Sequence, residues 1–386
     1  MIKVTMSLSH DGLADGIYHI HAKRFLMATL YWANEKGLLI GWSPFACVPI
    51  NPYGEGSFQF HGGRAIPPEA THILVRVTRL NFQENEEVIV PLQRHLRPDP
   101  LENPLSLCAM SDLHLTNKTG RIYRALSWAK ESDGLLLAGD LTNDGTLEQF
   151  RQLCCCLEGL DSRLPILAVA GNHDQMTEPY SNATSDSAYA SFQRRLQRRA
   201  EQIGFRWYQD TSGAYSIQIG CVEVIGLNIV VYKGNFIFPE GRQLGFLQEV
   251  LHKDCAGWRI VLCHAPLSAH NPQRKPGERP YLTMDRQLQQ LIDKQQRLIF
   301  LSGHTHLSPN NLQGCVEYRP NEKSIYLDLG SVRPTVLHSK EEQLLPSEWA
   351  SGVYWELSLT KNTVEICARS VHTGVRFSRG YYRFEM

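Results

Sequence analysis

Short apolar runs that end in a turn recur through most of the chain. Five of these runs deliver Asp, Asn or His into the turn, and they occupy residues 105–114, 135–140, 166–174, 260–266 and 298–306. A short continuous apolar run is typical of a strand buried on both faces of a sheet. Ligands of open α/β sheets bind beyond the carboxyl ends of the strands, so we expect the five turns to meet at one crevice.

Segments with helical periodicity lie between the first three of these apolar runs. Residues 120–130 place Ile122, Leu126 and Ala129 on one face, and further helices are predicted at 146–157, 189–199 and 244–251. The resulting β-α-β-α-β order predicts an α/β domain with parallel strands and right-handed crossovers. Alternating stretches predict strands at 215–220, 222–232, 324–331, 353–359 and 364–369, which we expect to complete a second sheet.

The first hundred residues have a different pattern. Short alternating stretches between turn residues predict strands at 16–21, 38–41, 56–61, 72–78 and 87–91. Several short strands at this spacing are typical of an all-β immunoglobulin-like or fibronectin type III-like sandwich. The Pro-broken segment 94–100 is the predicted linker, which gives an N-terminal β-sandwich domain at 1–100 and a second, α/β domain at 101–386.

Composition narrows the classes of function. The 386 residues include 39 Lys plus Arg and 39 Asp plus Glu, so no global positive field favours nucleic acid or membrane surfaces as partners. The N-terminus is too polar for a signal peptide, and no run is long enough for a membrane span. Ten cysteines without a Cys-x-x-Cys pair are typical of free thiols, so we expect a cytoplasmic protein.

The turn after the first run is the strongest candidate for chemistry. Asp112 and His114 stand two residues apart at the end of a predicted strand, where alternation along an extended backbone would point both side chains to one side. Together they could hold one metal ion. Oxygen and imidazole donors without thiolates suit Mn, Fe or Zn rather than a closed structural zinc site.

The motifs in order resemble those of the calcineurin-like metallophosphoesterase family. They are Asp112-x-His114, Gly139-Asp140, Gly171-Asn172-His173-Asp174, His264 and Gly303-His304-Thr305-His306, and the resemblance extends over about residues 105–370. It implies a four-layer sandwich in which two packed mixed sheets are flanked by helices and hold a binuclear metal centre at one edge.

The resemblance also assigns roles by motif position. Asp112, His114 and His306 would hold the first metal, Asn172, His264 and His304 the second, and Asp140 would bridge both. A carboxylate suits a bridge because each oxygen can coordinate one ion. A hydroxide shared by the two metals would attack phosphorus. The catalytic pair would be His173, which stabilises phosphoryl charge or protonates the leaving oxygen, and Asp174, which orients His173.

The form of the second motif favours one branch of that family. Purple acid phosphatases have Tyr where this chain has Asn143, whereas Gly-Asp-Leu-Thr resembles bacterial cyclic-nucleotide and other phosphodiesterases. We therefore expect a phosphodiesterase with a small phosphorylated substrate, with a phosphomonoesterase or nucleotide pyrophosphatase as the alternative. A protein of a different functional class, a binding scaffold without catalytic activity, is a further alternative. The complete set of candidate metal ligands argues against it. The sequence leaves the oligomeric state open.

Three further segments could contact substrate. The loops at 175–186 and 269–280 would border the site, and the second loop carries His270, Arg274, Lys275 and Arg279. An arginine cluster at 194–199 could recognise a phosphate backbone, or it could form an ordinary solvated helix face.

Overall fold

The chain divides into two compact units, Met1–Leu101 and Glu102–Met386. The computed structural model describes residues 3–8, 16–22, 25, 27–40, 44, 46–59, 70, 72–78, 85–91, 104–176, 187–238, 242–253, 255, 257–270, 282–310, 314–333 and 352–385. Within these ranges no helix is long and apolar enough to cross a membrane. The predicted linker at 94–100 lies outside the described residues.

The first unit contains two antiparallel sheets. Its strands are β1 (Lys3–Leu8), β2 (Gly16–His21), β3 (Met27–Ala33), β4 (Ala46–Pro49), β5 (Glu55–Gln59), β6 (His72–Thr78) and β7 (Asn85–Pro91). They pair in the orders β1-β2-β5 and β4-β3-β6-β7. Ile20, Leu30, Val48 and Val75 belong to one apolar cluster. The immunoglobulin-like or fibronectin-like assignment stays a prediction.

One predicted strand of this unit is wrong. Residues 38–40 form only an isolated bridge, between Leu39 and Ala33. Asn34 bends the chain there, because its Oδ1 accepts the backbone N–H groups of Lys36 and Leu38. Gly37 completes the turn with φ +74°, a conformation that side chains disfavour. The sequence pattern also missed β1, β3 and β4.

The second unit alternates strands and helices before it ends in strands. In chain order its elements are β8 (Leu105–Met110), α1 (Gly120–Ser127), β9 (Gly134–Leu137), α2 (Leu147–Glu158), β10 (Ile166–Ala168), a 3-10 turn (His173–Gln175), α3 (Ala188–Gln202), β11 (Trp207–Gln209), β12 (Tyr215–Ile219), β13 (Val222–Leu227), β14 (Val230–Tyr232), β15 (Asn235–Ile237), α4 (Arg242–Leu251), β16 (Trp258–Cys263), α5 (Asp285–Ile292), β17 (Leu298–Ser302), β18 (Val316–Arg319), β19 (Ser324–Asp328), β20 (Val353–Leu359), β21 (Thr363–Ser370) and β22 (Arg376–Glu385).

These strands form two mixed sheets and a small hairpin. The six-stranded sheet has the order β10-β9-β8-β20-β21-β22, with β8, β9 and β10 parallel as predicted. The seven-stranded sheet has the order β11-β12-β13-β16-β17-β19-β18, in which β13, β16, β17 and β19 are parallel. The hairpin is β14-β15. Mixed sheets with flanking helices agree with the expected catalytic fold.

Alternation along the seven-stranded sheet divides the core into two clusters. Ile260 and Leu262 of β16 pack with residues of the six-stranded sheet, such as Leu107. Their neighbour Val261 packs in a second cluster with Leu247 of α4 and with α5. Because successive side chains of a strand point to opposite faces, one sheet serves both clusters. The runs are continuously apolar for this reason.

The position of the last strands corrects a prediction. β20 and β21 belong to the six-stranded sheet, where β20 is antiparallel to β8 with Trp355 opposite Ala109. We expected them in the second sheet, which they follow in the chain. Sequence order does not specify a partner for an antiparallel strand, and β8 pairs with β9 along only one of its two backbone edges.

Candidate metal centre

The ends of five strands from both sheets bring the candidate residues together. The turn after β8 is joined to the turn after β9 by backbone hydrogen bonds from Asp112 to Gly139 (3.0 Å) and from His114 to Asp140 (2.9 Å). In the other sheet, the N–H of Gly303 donates to the carbonyl of His264 at 3.1 Å. The five turns therefore converge as predicted, but the crevice lies between two sheets rather than along one.

The backbone at the site is unusual. Among the described residues, eight non-glycine residues have positive φ, and five of them are candidate ligands: Asp112 (53°), His114 (44°), Asp140 (49°), His304 (72°) and His306 (55°). This region is sparsely populated for residues with a Cβ, and such conformations cluster at functional sites. The expectation of an extended Asp-x-His backbone is wrong, because β8 ends at Met110. Left-handed turns aim both side chains inward.

Close packing at the candidate metal centre requires glycine at two positions. A Cβ on Gly171 would collide with the Asp140 carboxylate, and one on Gly303 would collide with the Ser111 hydroxyl and the Asp112 carboxylate. Neither glycine has positive φ, so its requirement is steric rather than conformational. The carboxylates occupy the space that a side chain would fill.

The first group of donors surrounds Asp112. The Oδ1 of Asp112 lies 2.8 Å from the Nε2 of His306 and 3.7 Å from the Nε2 of His114. Its Oδ2 accepts hydrogen bonds from the Ser111 hydroxyl (2.6 Å) and the His304 N–H (2.9 Å). One donor atom each of Asp112, His114 and His306 lies within 4.8 Å of the others. This is the set predicted for the first metal.

The second group shares Asp140. One donor atom each of Asp140, His264 and His304 lies within 4.8 Å of the others. The Nε2 of His264 lies 3.4 Å from the Oδ2 of Asp140 and 3.2 Å from the Oδ1 of Asn172, which adds the amide oxygen to the group. The Nδ1 of His264 donates to the carbonyl of Ala138 at 2.8 Å. That bond leaves the Nε2 lone pair directed at the group.

Asp140 lies between the two groups. Its Oδ2 is 3.7 Å from the Nε2 of His114 and 3.4 Å from that of His264, while its Oδ1 accepts the His173 N–H at 2.8 Å. Asp140 is therefore placed to contribute its carboxylate to both donor groups. His173 also forms a possible donor group with His114 and Asp140.

The expected contact between His173 and Asp174 is replaced by another one. The Nδ1 of His173 lies 2.7 Å from the carbonyl oxygen of Asn143, to which it can only donate. Asp174 is buried and accepts hydrogen bonds from the N–H groups of Leu141, Thr142 and Gly171. The prediction that Asp174 orients the imidazole is therefore wrong. Asp174 instead ties the turn after Asp140 to the turn before Asn172.

Burial and neighbouring charges shift the pKa values of several residues at the site. Burial acts to raise the pKa of Asp112, but charge and hydrogen bonds from His264, His114 and His306 hold it well below its usual range. Burial acts to lower the pKa of His264, and the charges of Asp140 and Asp112 raise it to about 10. Asp174 has its pKa raised to about 6 by burial and by Asp140. The pocket therefore stabilises positive charge.

The residues fit divalent cations. Asp112 and Asp140 are 0% and 1% exposed, and burying two carboxylates so close together is costly without cations. The imidazole Nδ1 of His114 is buried without a hydrogen-bond partner within the described structure. Carboxylate oxygens, an amide oxygen and imidazole nitrogens are donors that Mn, Fe and Zn accept.

Sequence reasoning missed the residues that hold this site from behind. The Ser331 hydroxyl donates to the carbonyl of Asp112 at 3.0 Å. Buried Asp328 accepts the Thr305 hydroxyl at 2.7 Å and so fixes the turn between His304 and His306. The Oδ1 of Asn228 accepts the Ala170 N–H at 2.8 Å, which supports the turn before Asn172.

The predicted substrate-contacting residues have mixed outcomes. His270 is buried and stacks on Tyr326 with ring centroids 3.4 Å apart, so the prediction that it touches substrate is wrong. Arg195 lies 3.6 Å from Glu158 and Arg199 donates to Leu164, as on an ordinary helix face. Arg274, Lys275 and Arg279 lie outside the described residues, as does the loop beyond Met176.

The sequence is similar to that of a known protein family over more than half of the chain. The model of the calcineurin-like phosphoesterase family matches residues 105–308, which are 204 of the 386 residues. No curated protein matches the chain. The chain belongs to the calcineurin-like phosphoesterase family.

Solved structures with a similar fold have low identity to the chain. A predicted phosphoesterase from Streptococcus pneumoniae is 11% identical with a TM-score of 0.35, covering 74% of this chain and 99% of the other. Vacuolar Protein Sorting 29 from Cryptosporidium parvum is 12% identical with a TM-score of 0.35, covering 74% and 100%. The phosphoesterase Yfce from E. coli is 13% identical with a TM-score of 0.30, covering 70% and 96%.

Proposed function

We propose that the chain is a metal-dependent phosphoester hydrolase that cleaves phosphodiesters, with cyclic nucleotides as the first substrates to test. The observation that carries the proposal is the position of Asp140, whose Oδ2 lies within 3.7 Å of imidazoles from both donor groups. Asp112, His114 and His306 would hold one ion, and Asn172, His264 and His304 would hold the other. Two bound divalent ions would supply a nucleophile from water and neutralise phosphoryl charge.

His173 would supply the proton in this mechanism. Its Nδ1 proton is committed to the Asn143 carbonyl, so Nε2 is the atom that can exchange a proton with substrate. The imidazole lies edge to face with His114, with ring centroids 4.5 Å apart, which keeps it beside the first donor group. Protonated at Nε2, it would stabilise the phosphoryl oxygens and then protonate the departing alkoxide.

Diester preference rests on the Gly-Asp-Leu-Thr form of the second motif. The test compares hydrolysis of bis-p-nitrophenyl phosphate and p-nitrophenyl phosphate by Mn-loaded protein. The Asp140→Asn variant serves as the inactive control. A preference for the diester that is lost in the variant supports the proposal and leads to a screen of cyclic nucleotides. A preference for the monoester would overturn the diester assignment, and metal binding without any hydrolysis would favour a scaffold.

A further inference from the structure

Arg333 extends from the back of the metal centre to the residue that holds His173. Its backbone N–H donates to the Ser331 hydroxyl at 3.0 Å, directly behind Asp112. Its guanidinium donates from Nη2 to the Oδ1 of Asn143 at 3.2 Å. The backbone carbonyl of Asn143 in turn accepts the Nδ1–H of His173. Asn143 therefore contacts both the permanently charged guanidinium of Arg333 and the candidate proton donor His173.

The charge of Arg333 also affects a second arginine. Arg121 is the second residue of α1, and it is exposed. Partial burial of its guanidinium lowers the pKa of Arg121, and the charge of Arg333 lowers it further. Two like charges near each other are unfavourable unless an anion joins them. A second positive charge that interacts with Arg333 adds to the attraction for an anion there.

Other arginines of the unit have carboxylate partners. Arg259 pairs with Glu223 at 3.1 Å, and Arg369 pairs with Glu356 at 2.6 Å. Within the described ranges, neither Arg121 nor Arg333 forms an ion pair with a carboxylate. A guanidinium placed at a catalytic edge without a carboxylate can bind planar oxyanions through two parallel hydrogen bonds.

We propose that Arg333 binds a second anionic group of the substrate, a carboxylate or phosphate beyond the phosphoryl group that reacts. The inference rests on the proposed function and narrows its substrate class to phosphoesters with an additional negative charge. Arg333 would recognise that group while its contact with Asn143 keeps it beside His173. Arg333 would then orient the substrate rather than take part in the chemical step.

The test uses three p-nitrophenyl diesters that share a leaving group and differ in the second alcohol. The alcohols are 3-hydroxypropanoate, ethanol and choline, which make that end anionic, neutral and cationic. For Mn-loaded wild type, kcat/KM should decrease in that order, mainly through KM. Arg333→Gln retains an amide N–H for Asn143 but loses the charge, so the anionic-to-neutral ratio of kcat/KM should fall by about 10-fold or more.

Two further variants separate recognition from structure. Arg333→Lys should retain part of the anionic preference, since it keeps the positive charge. Arg151→Gln removes an exposed arginine of α2 that pairs only at 4.0 Å with Glu148, and it should keep the wild-type ratio. An unchanged ratio in Arg333→Gln, or equal loss in Arg151→Gln, would overturn the proposal.

A binding measurement separates this inference from the proposed function. Calorimetry with Mn-loaded protein compares 2-phosphoglycolate, which carries a carboxylate, with ethyl phosphate, which does not. Wild type should bind 2-phosphoglycolate about 10-fold more tightly, and Arg333→Gln should remove that difference. Equal affinities in wild type would refute the arginine site even for a protein that hydrolyses diesters. A difference without any turnover would support the site while refuting the phosphodiesterase assignment.

Discussion

The Nε2 atoms of His114 and His306 lie 3.1 Å apart, although 192 positions separate the two residues in the chain. Both nitrogens face the Oδ1 of Asp112, at 3.7 Å and 2.8 Å. Two imidazoles arranged in this way around one carboxylate can share a cation through three lone pairs. The two imidazole rings would repel each other with both rings protonated. Binding of a metal ion by this group therefore controls the charge of the site.

Metal content should distinguish the bridging carboxylate from the other one. Asp112→Asn weakens one donor group, so Mn-loaded protein should lose about one equivalent of the two that wild type retains. Asp140→Asn weakens both groups and should retain less than one. Elemental analysis after dialysis measures both numbers, with the exposed carboxylate variant Asp161→Asn as control. Wild-type metal content in Asp140→Asn would refute its role as the bridge.

Replacing His173 should separate catalysis from metal binding. In His173→Ala, kcat on bis-p-nitrophenyl phosphate should fall by about 100-fold, since the proton donor at Nε2 is lost. Metal content should remain that of wild type, because the two predicted ligand sets are intact. His252→Ala, which removes an exposed imidazole at the end of α4, is the matched control. Loss of metal together with activity would instead make His173 a ligand, as its proximity to His114 and Asp140 allows.

Two glycine substitutions should have opposite effects. Gly303→Ala places a methyl group against Ser111 and the Asp112 carboxylate, so it should lower metal affinity and destabilise the fold by about 1–3 kcal/mol. Gly245→Ala lies in α4 with open space around it and should stabilise the fold by about 0.5–1 kcal/mol. Urea unfolding of both variants, with and without Mn, measures the difference. Equal stability of the two would contradict the close packing behind Asp112.

His270 should make the stability of the fold depend on pH. Burial lowers the pKa of His270 below 6.5, although Glu317 and Asp293 oppose that shift and Arg319 reinforces it. The unfolded chain therefore takes up a proton before the native state does, so stability should decrease as the pH falls below about 6.5. His270→Gln removes this titration, and its deficit relative to wild type should shrink between pH 7 and about 5.5. Urea unfolding at both pH values tests it, and a deficit that grows on acidification would contradict the argument.

Local sequence patterns were sufficient to predict the donors of the site and the elements that carry them. Apolar runs bounded by glycine and followed by helical periodicity predicted β8, β9 and β10 with α1 and α2, because such runs must be buried on both faces. The donor types at their ends, from Asp112 to His306, indicated a divalent metal centre before any contact was known. Local patterns suffice there, since the strand and its turn are adjacent in the chain.

The way in which those donors are held depends on tertiary contacts. The sequence could not show that β20 pairs with β8, that Asp174 supports backbone N–H groups instead of His173, or that Arg333 reaches Asn143. Each of these contacts joins segments distant in the chain, and several candidate partners satisfy the same hydrogen-bonding need. The left-handed conformations of Asp112 and His114 likewise depend on surrounding contacts, because an isolated Asp or His would favour other regions.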